Sequence, residues 1–206
     1  MVKTKDNSTE KVILEAALKV FTEKGFAATR MDHIAKEAKI NRALLHYYFR
    51  SKDKMFDLIF AQRIDEFLSG IAQQMFSEKT LHEKIEGIVA HEIIMLINHP
   101  HLPIFIFQEL AQNPNRIVEH AKNAGAHPGE LLKKFSSQVK AEIKKGTIRN
   151  IEPSHLLMSI MSMAIYPFIA KPIIKAMLQF DDTQFIKLMR RRKEEVTDFI
   201  FQSLRP

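Results

Sequence analysis

The chain of 206 residues has no cysteine, no tryptophan and only six glycines, and none of its eight prolines precedes Pro100. Without cysteine, it has no disulfide, no thiolate nucleophile and no cysteine-ligated zinc or iron–sulfur site. Average glycine usage is about 7%, more than twice the fraction in this chain. β-Sandwiches and barrels need glycine-bearing turns, and nucleotide-binding folds need glycine-rich phosphate loops. The composition therefore disfavours both classes and favours helices.

The sequence also lacks a secretory signal pattern and a clean membrane-spanning stretch. The first ten residues, MVKTKDNSTE, are polar and are followed by no apolar run of the kind that a leader needs. The most hydrophobic stretch, residues 156–180, is interrupted by two prolines and two lysines, whereas a span needs about 20 consecutive apolar residues. We expect a soluble cytoplasmic protein with no membrane partner.

The positive charge is concentrated near the N-terminus. The net charge is +7, and the first 54 residues hold 12 Lys and Arg against 7 Asp and Glu, compared with 19 against 17 in the remainder. A basic balance confined to one small segment is typical of a module that binds a polyanion, because phosphate contacts release counterions. It is also found on ordinary solvated helix faces.

The periodicity of apolar residues predicts an all-helical fold of about nine helices. The first spans residues 9–24 and ends at Gly25 in a left-handed cap. A short second helix begins at Thr29, which forms a Thr-x-x-Asp capping box with Asp32, and Asn41 caps a third helix after a tight turn. The remaining helices are predicted over residues 52–76, 80–98, 102–111, 115–145, 153–178 and 182–203.

Three short helices with a tight turn in the most basic part of the chain have the outline of a helix-turn-helix DNA reader. The helix after the turn buries Ile40, Leu44, Leu45 and Phe49 in this prediction, so its opposite face would meet the major groove. Arginine there can donate two bonds to guanine, and flanking hydroxyls and cations can contact phosphates. The predicted DNA-binding residues are Thr29, Arg30, Asn41, Arg42, Ala43, His46, Tyr47, Tyr48 and Lys52.

The run ATRMDHIAKEAKINRALLHYYFRSKDKMF, residues 28–56, resembles the signature of the tetracycline-repressor (TetR) family of bacterial regulators. The positions in register are Thr29, Ile34, Ala35, Ile40, Asn41, Leu45, Phe49, Ser51, Lys52, Asp53 and Met55. The chain departs from the family pattern at four positions. Lys39 replaces the usual glycine after the second helix, and Ala43, His46 and Tyr48 replace a glycine, a tyrosine and a histidine. Two of these changes lie on the reading face and alter the expected base preference.

The resemblance implies a head that binds DNA, residues 1–53, and a helical body, residues 54–206, that dimerises and binds a ligand. In this family the last two helices of each subunit form a four-helix bundle, and a ligand in the body moves the two heads apart. Spacings of three, four and seven residues in the last helix favour helix pairing, although an intramolecular seam has the same pattern. The candidate dimer residues are Phe185, Met189, Val196, Phe199 and Ser203.

Methionines and aromatic residues in the body are candidates for an apolar ligand pocket, because such side chains form adaptable walls. Plain core packing is the alternative at each position. The candidate pocket residues are Met95, Phe105, Phe107, Met158, Met161, Tyr166 and Phe168.

Enzymatic and metal-dependent functions have little support. The chain has no Gly-x-Ser-x-Gly elbow, and its histidines show no His-x-x-x-His spacing, although His91, Glu92, His99 and His101, and Glu119 with His120, are close in sequence. We therefore expect no enzyme, metal or cofactor. The leading hypothesis is a homodimeric repressor of a double-stranded DNA operator that a small apolar effector releases. The alternatives are the same fold without an inducer, and a helical carrier or enzyme with an incidental basic head.

Overall fold

The computed structural model describes residues 3–112, residue 115 and residues 128–206. These residues form ten α-helices and no strand, which confirms the all-helical class. The helices are α1 (Lys3–Ala28), α2 (Met31–Glu37), α3 (Arg42–Tyr48), α4 (Lys52–Phe76), α5 (Leu81–Asn98), α6 (Leu102–Gln112), α7 (Pro128–Lys145), α8 (Pro153–Ile169), α9 (Lys171–Leu178) and α10 (Asp182–Ser203).

Two predicted helices differ from the observed ones. The helix expected over residues 153–178 is divided at Ala170, where Pro172 lies in the first turn of α9. Proline lacks the amide hydrogen that a continuous helix would use, so a new helix starts there. The helix expected over residues 115–145 is described from Pro128 onward. Residues 116–127, with Glu119 and His120, lie outside the described residues.

The chain divides into two compact units. The head unit comprises the described residues up to Asp65 together with α6, and the body unit comprises residues 66–100 and 128–206. Helix α4 contributes to both units, because the division falls within it. The sequence placed the division at residue 53, before α4, and assigned α6 to the body. Since α6 packs against α1, it belongs to the head unit.

The junction between α1 and α2 differs in detail from its prediction. Gly25 interrupts α1 as expected, but with φ 73° and ψ 163° rather than in a left-handed cap. The Thr29 hydroxyl does not cap α2. It donates to the Gly25 carbonyl at 2.7 Å, and Arg30 is the N-cap of α2. The backbone N–H of Arg30 is bonded instead to Nδ1 of His33, at 3.3 Å.

The core of the head unit is built around a cluster of phenylalanines. The Phe56 ring lies 5.3 Å from Phe21, 4.8 Å from Phe26 and 5.0 Å from Phe105, measured between ring centroids. Edge-on and tilted contacts of this kind stabilise aromatic pairs beyond the area that they bury. The cluster therefore ties α1, α4 and α6 together beneath the short helices α2 and α3.

Helix α5 is the central helix of the body unit. It packs most extensively against α10, next against α8, and also against α7. Its N-terminus is fixed by a reciprocal capping box between Thr80 and Glu83. The neighbouring part of α4 approaches closely, because a Cβ added at Gly70 would lie 2.0 Å from the His91 ring. Only glycine allows this contact, since any larger residue would displace the ring.

No single helix in the described part of the chain is long and apolar enough to cross a membrane. Helices α8 and α9 pass a length and hydropathy criterion only as a pair, and they are bent by 71° relative to each other.

Candidate DNA-binding interface

The turn between α2 and α3 has a defined hydrogen-bond pattern. Ile40 N–H donates to the Ala35 carbonyl at 3.0 Å, and Lys39 N–H donates to the Lys36 carbonyl at 3.2 Å. These are the two bonds of a Schellman motif, which places its C′ residue in the left-handed region. Lys39 is that residue, with φ 55°. The family glycine that Lys39 replaces would adopt this conformation without strain.

Asn41 begins α3 as expected. Its side-chain Oδ1 accepts a hydrogen bond from Leu44 N–H at 2.7 Å, which satisfies one of the free amides of the first turn. The cap sets the start of α3 and therefore the rotation of the residues that follow. Asn41 thus has a positioning role in this structure, and its predicted contact with DNA stays a prediction.

The predicted reading face of α3 is exposed to solvent. Arg42, Ala43, His46 and Tyr47 are all exposed, and Tyr47 is 76% exposed. Leu45 and Phe49 are buried on the opposite side, as expected. Leu44 was predicted to be buried, but it is 37% exposed. The buried face of α3 is therefore narrower than predicted.

Two side chains orient the Arg42 guanidinium. Nη1 of Arg42 lies 3.3 Å from Oδ1 of Asp32, and Nε donates to Nε2 of His46 at 3.4 Å. Asp32, on α2, was not predicted to have this role, because pairing between two helices has no signal in sequence spacing. The ion pair is exposed, so it orients the guanidinium at little cost when Arg42 exchanges it for a base.

Two predicted phosphate contacts have structural roles. Thr29 is only 2% exposed, and its hydroxyl faces the Gly25 carbonyl, so it is not available to a phosphate in this conformation. Lys52 Nζ donates to the carbonyls of Phe26 at 2.9 Å, Ala27 at 3.3 Å and Thr29 at 3.1 Å. It also lies 4.5 Å from the centre of the Phe26 ring. Lys52 therefore holds the end of α1.

The other flanking candidates remain accessible. Arg30 is exposed, and Tyr48 is half-buried with its ring 5.3 Å from that of Tyr47, edge to face. The structure thus brings Arg30, Arg42, His46 and the two tyrosines to the outer side of α2 and α3.

The candidate dimer residues are divided between two environments. Phe185, Met189 and Val196 are buried within a single chain, which favours the intramolecular alternative for these three. Phe199 is 61% exposed, and Ser203 is also exposed. The body unit exposes further apolar side chains that the dimer prediction did not use, namely Met158 and Tyr166 on α8 and Ile173 and Met177 on α9.

The candidate pocket residues are not brought together. Met95 and Phe168 are buried in the body unit, and Met161 is half-buried there. Phe105 belongs to the phenylalanine cluster of the head. Phe107, Met158 and Tyr166 are exposed. The helical spacing identified apolar positions but not the helices that they face.

Two open clefts of the body unit have polar walls. One, of about 420 Å³, is lined by Lys79, Lys84 and Lys134 together with two serines, and Lys84 within it is buried. Burial and the nearby Lys134 lower the pKa of Lys84, whose amine donates to the Met75 carbonyl at 3.1 Å. The other cleft, of about 530 Å³, has Phe201 and His82 in its wall.

The body also contains a buried acid that the sequence did not single out as functional. Glu92 on α5 is 0% exposed, and burial raises the pKa of its carboxyl to about 8. Across the described ranges, no group of three or more His, Asp or Glu side chains is placed to hold a metal ion.

Known proteins share both the head signature and the whole fold. The model of the family described as bacterial regulatory proteins, tetR family, matches residues 13–59. The uncharacterized HTH-type transcriptional regulator YhgD of Bacillus subtilis (strain 168) is 30% identical over 144 residues, which cover 70% of this chain and 74% of YhgD.

Two solved structures have a similar fold. The ketosteroid transcriptional regulator KstR2 of Mycobacterium tuberculosis has a TM-score of 0.68 at 18% identity, covering 92% of this chain and 93% of its own. FadR of Bacillus subtilis, in complex with stearoyl-CoA, has a TM-score of 0.61 at 16% identity, covering 94% and 98%. Because YhgD is 30% identical over 70% of this chain, and the family model covers the helix-turn-helix, this chain belongs to the TetR family of DNA-binding transcriptional regulators, which are not enzymes.

Proposed function

We propose that this regulator is a repressor that binds a near-palindromic operator as a homodimer and is released by a small, largely apolar ligand. The observation that carries the DNA contact is the exposed face of α3, on which Arg42 is already oriented by Asp32. The protein would act in the cytoplasm, where its operator is accessible.

The reading face offers complementary contacts to base edges. Arg42 can donate two bonds to guanine, and the Ala43 methyl group can touch a thymine methyl in the major groove. His46 and Tyr47 can reach neighbouring bases or the backbone. Arg30 and the N-terminal ends of the short helices supply contacts to phosphates, which fix the register without reading sequence.

Dimerisation follows from the limited footprint of one recognition helix. A single helix contacts few base pairs, so helix-turn-helix proteins bind two half-sites separated by about one helical turn or its multiple. The exposed apolar side chains of α8 and α10, Met158, Tyr166 and Phe199, supply a surface for a second copy. Several exposed large apolar side chains on neighbouring helices are a feature that interfaces share.

The proposed ligand site lies in the body unit. KstR2 is named for ketosteroids, and the FadR structure contains stearoyl-CoA, so both names point to ligands with a large apolar part. A ligand that favours a body conformation with mismatched head spacing would weaken operator binding. By linkage, operator DNA would weaken ligand binding by the same factor.

Selection of bound sequences from a random duplex library tests the regulator function directly. We expect a palindromic site, bound by two copies of the chain, with an affinity that falls steeply as salt concentration rises. The control is the double variant Arg42→Ala, Tyr47→Ala, which changes two exposed side chains. It should keep the fold and lose about 100-fold or more in affinity for the selected site.

Two outcomes would support the alternatives. Sequence-blind binding that the double variant retains would mean that the basic head is incidental to another activity of the body. A palindromic operator that no compound releases would support a regulator of the same fold without an inducer.

A further inference from the structure

Glu92 lies in the middle of α5 and is fully buried. Neither Oε1 nor Oε2 has a hydrogen-bond partner in the part of the chain that the structure describes. The residues one turn before and after it on α5 are Ile88, Val89, Met95 and Leu96, all of them buried and apolar. Along α5, the buried carboxyl group is therefore flanked by apolar side chains.

A side chain in this state destabilises the protein that carries it. A buried polar group without a hydrogen bond costs about 1–3 kcal/mol, and a buried charge without a partner costs more. Burial is the cause of the raised pKa of Glu92, and no charge among the described residues counteracts it.

Two partly or fully buried cations of the body unit are bonded elsewhere. Arg192 Nε donates to the Met163 carbonyl at 3.0 Å, and Lys84 Nζ donates to the Met75 carbonyl at 3.1 Å. Within the described residues this carboxyl therefore has no hydrogen-bond partner, and what is missing is a donor of opposite charge.

We infer that Glu92 is the polar anchor of the effector site, and that the effector is an apolar molecule carrying an amine. This inference rests on the proposed function, because it assigns a residue and a ligand class to the effector site of the body. A protonated amine supplies the hydrogen bonds and the positive charge that a buried carboxylate lacks. The buried apolar side chains of α5 suit the remainder of such a ligand.

Other ligand classes fit this position less well. A carboxylate or phosphate group at Glu92 would meet a like charge or force the side chain to remain protonated. An alcohol would form neutral hydrogen bonds only, which are weaker than charge-assisted ones. The predicted order of affinity among molecules with the same alkyl chain is amine, then alcohol, then carboxylate.

Calorimetric titration of the full chain without DNA tests this order, with decylamine, 1-decanol and decanoate as probes kept below the concentration at which they form micelles. We expect decylamine to bind about tenfold or more tightly than 1-decanol, as charge-assisted hydrogen bonds imply. The net charge of +7 opposes non-specific binding of a cation, so this preference would not arise from general attraction.

Three variants test whether the preference for decylamine depends on Glu92. Glu92→Gln keeps the shape and removes the charge, and it should abolish the preference for decylamine while leaving 1-decanol binding unchanged. Glu92→Met, which buries no polar group, should also abolish the preference for decylamine, and it covers the case in which the glutamine variant folds poorly. The matched control is Glu86→Gln, the same change at an exposed position of α5, which should retain the preference.

Equal binding of decylamine and 1-decanol by the unmodified chain would overturn the inference. So would a preference for decylamine that persists in Glu92→Gln or Glu92→Met. Since no DNA is present, these results are independent of operator selection. A failure to find an operator would contradict the proposed function while leaving the Glu92 titration interpretable.

Discussion

Among the described residues, the head unit provides partners for its buried polar side chains, whereas the body unit leaves Glu92 without one. In the head, the buried Thr29 hydroxyl donates to a carbonyl, and the Lys52 amine donates to three. In the body, neither oxygen of Glu92 is bonded within the described residues. Thr29 and Glu92 are both buried, so the difference between them lies in whether the fold supplies partners.

The two units thus differ in whether their buried polar side chains have hydrogen-bond partners when no ligand is bound. A fully bonded head can present α3 in one orientation before DNA arrives, which reduces the entropy lost on binding. A carboxyl buried without a partner leaves the body with a free-energy deficit that binding of a suitable molecule can remove. In the proposed function, recognition of DNA and recognition of an effector would thus have different physical origins.

The largest expected effect comes from a substitution that disrupts the proposed dimer surface of the body unit and leaves the head unit unchanged. Phe199→Asp places a charge on the exposed apolar side of α10, and a charge buried at an interface without a partner is strongly unfavourable. We expect sedimentation to show monomers and the affinity for a palindromic operator to fall by about 100-fold or more. Val12→Asp makes the same change at an exposed position of the head and should remain dimeric. Dimers of Phe199→Asp would place the interface elsewhere.

Much of the head was predictable from sequence because its signals are local. The cap of Asn41, the break at Gly25 and the exposure of Arg42, His46 and Tyr47 depend on residues within a few positions of one another. One exception is Thr29, whose hydroxyl bonds to the Gly25 carbonyl instead of capping α2.

The body was predicted less well because its helices are apolar on more than one face. Spacing placed Phe185, Met189 and Val196 on one stripe but could not decide whether that stripe meets the same chain or another. It also treated Glu92 as one of several polar residues near histidines. Only tertiary packing shows that its carboxyl is buried, since no pattern along α5 records which helices surround it.

A second prediction concerns the pH dependence of stability, which the buried Glu92 of the body unit should change. The native pKa of Glu92 is about 8, against 4.5 for the ordinary carboxyl, so the folded state binds a proton that the unfolded state has released. The free energy of unfolding is therefore highest, as far as this group is concerned, below pH 4.5, and it falls as pH rises to about 8. The loss approaches about 1.4 kcal/mol per pH unit within that window.

Denaturant unfolding across the window measures the effect as the difference between the unmodified chain and Glu92→Gln. The unmodified chain should lose stability more steeply as pH rises, whereas Glu86→Gln should follow it closely. Parallel curves for the unmodified chain and Glu92→Gln would show that the carboxyl is not buried in solution.

A third prediction concerns the hydrogen bonds that Lys52 donates in the head unit. Lys52→Ala removes a charged donor from three carbonyls and should lower the free energy of unfolding by about 1–2 kcal/mol, since Lys52 is half-buried. Lys54→Ala, at an exposed position of the same helix turn, should change it little. The salt dependence of DNA binding tests the phosphate contact separately, because losing such a contact flattens the slope by about one unit. An unchanged unfolding free energy would contradict the structural role of Lys52.

The smallest expected effect concerns the turn that sets the angle of the recognition helix. Lys39 is held at φ 55°, where a side chain with a Cβ costs about 1–2 kcal/mol. Lys39→Gly removes that strain but gives the unfolded chain more conformational freedom, worth about 0.4–1 kcal/mol in the opposite direction. We expect a net gain of about 0.5–1 kcal/mol in thermal or denaturant unfolding. Lys36→Gly, within α2 and also exposed, should instead destabilise the chain by a similar amount, because glycine is unfavourable inside a helix. If both variants lose stability, the turn does not impose a left-handed conformation at residue 39, and the rotation of α3 depends on the Asn41 cap alone.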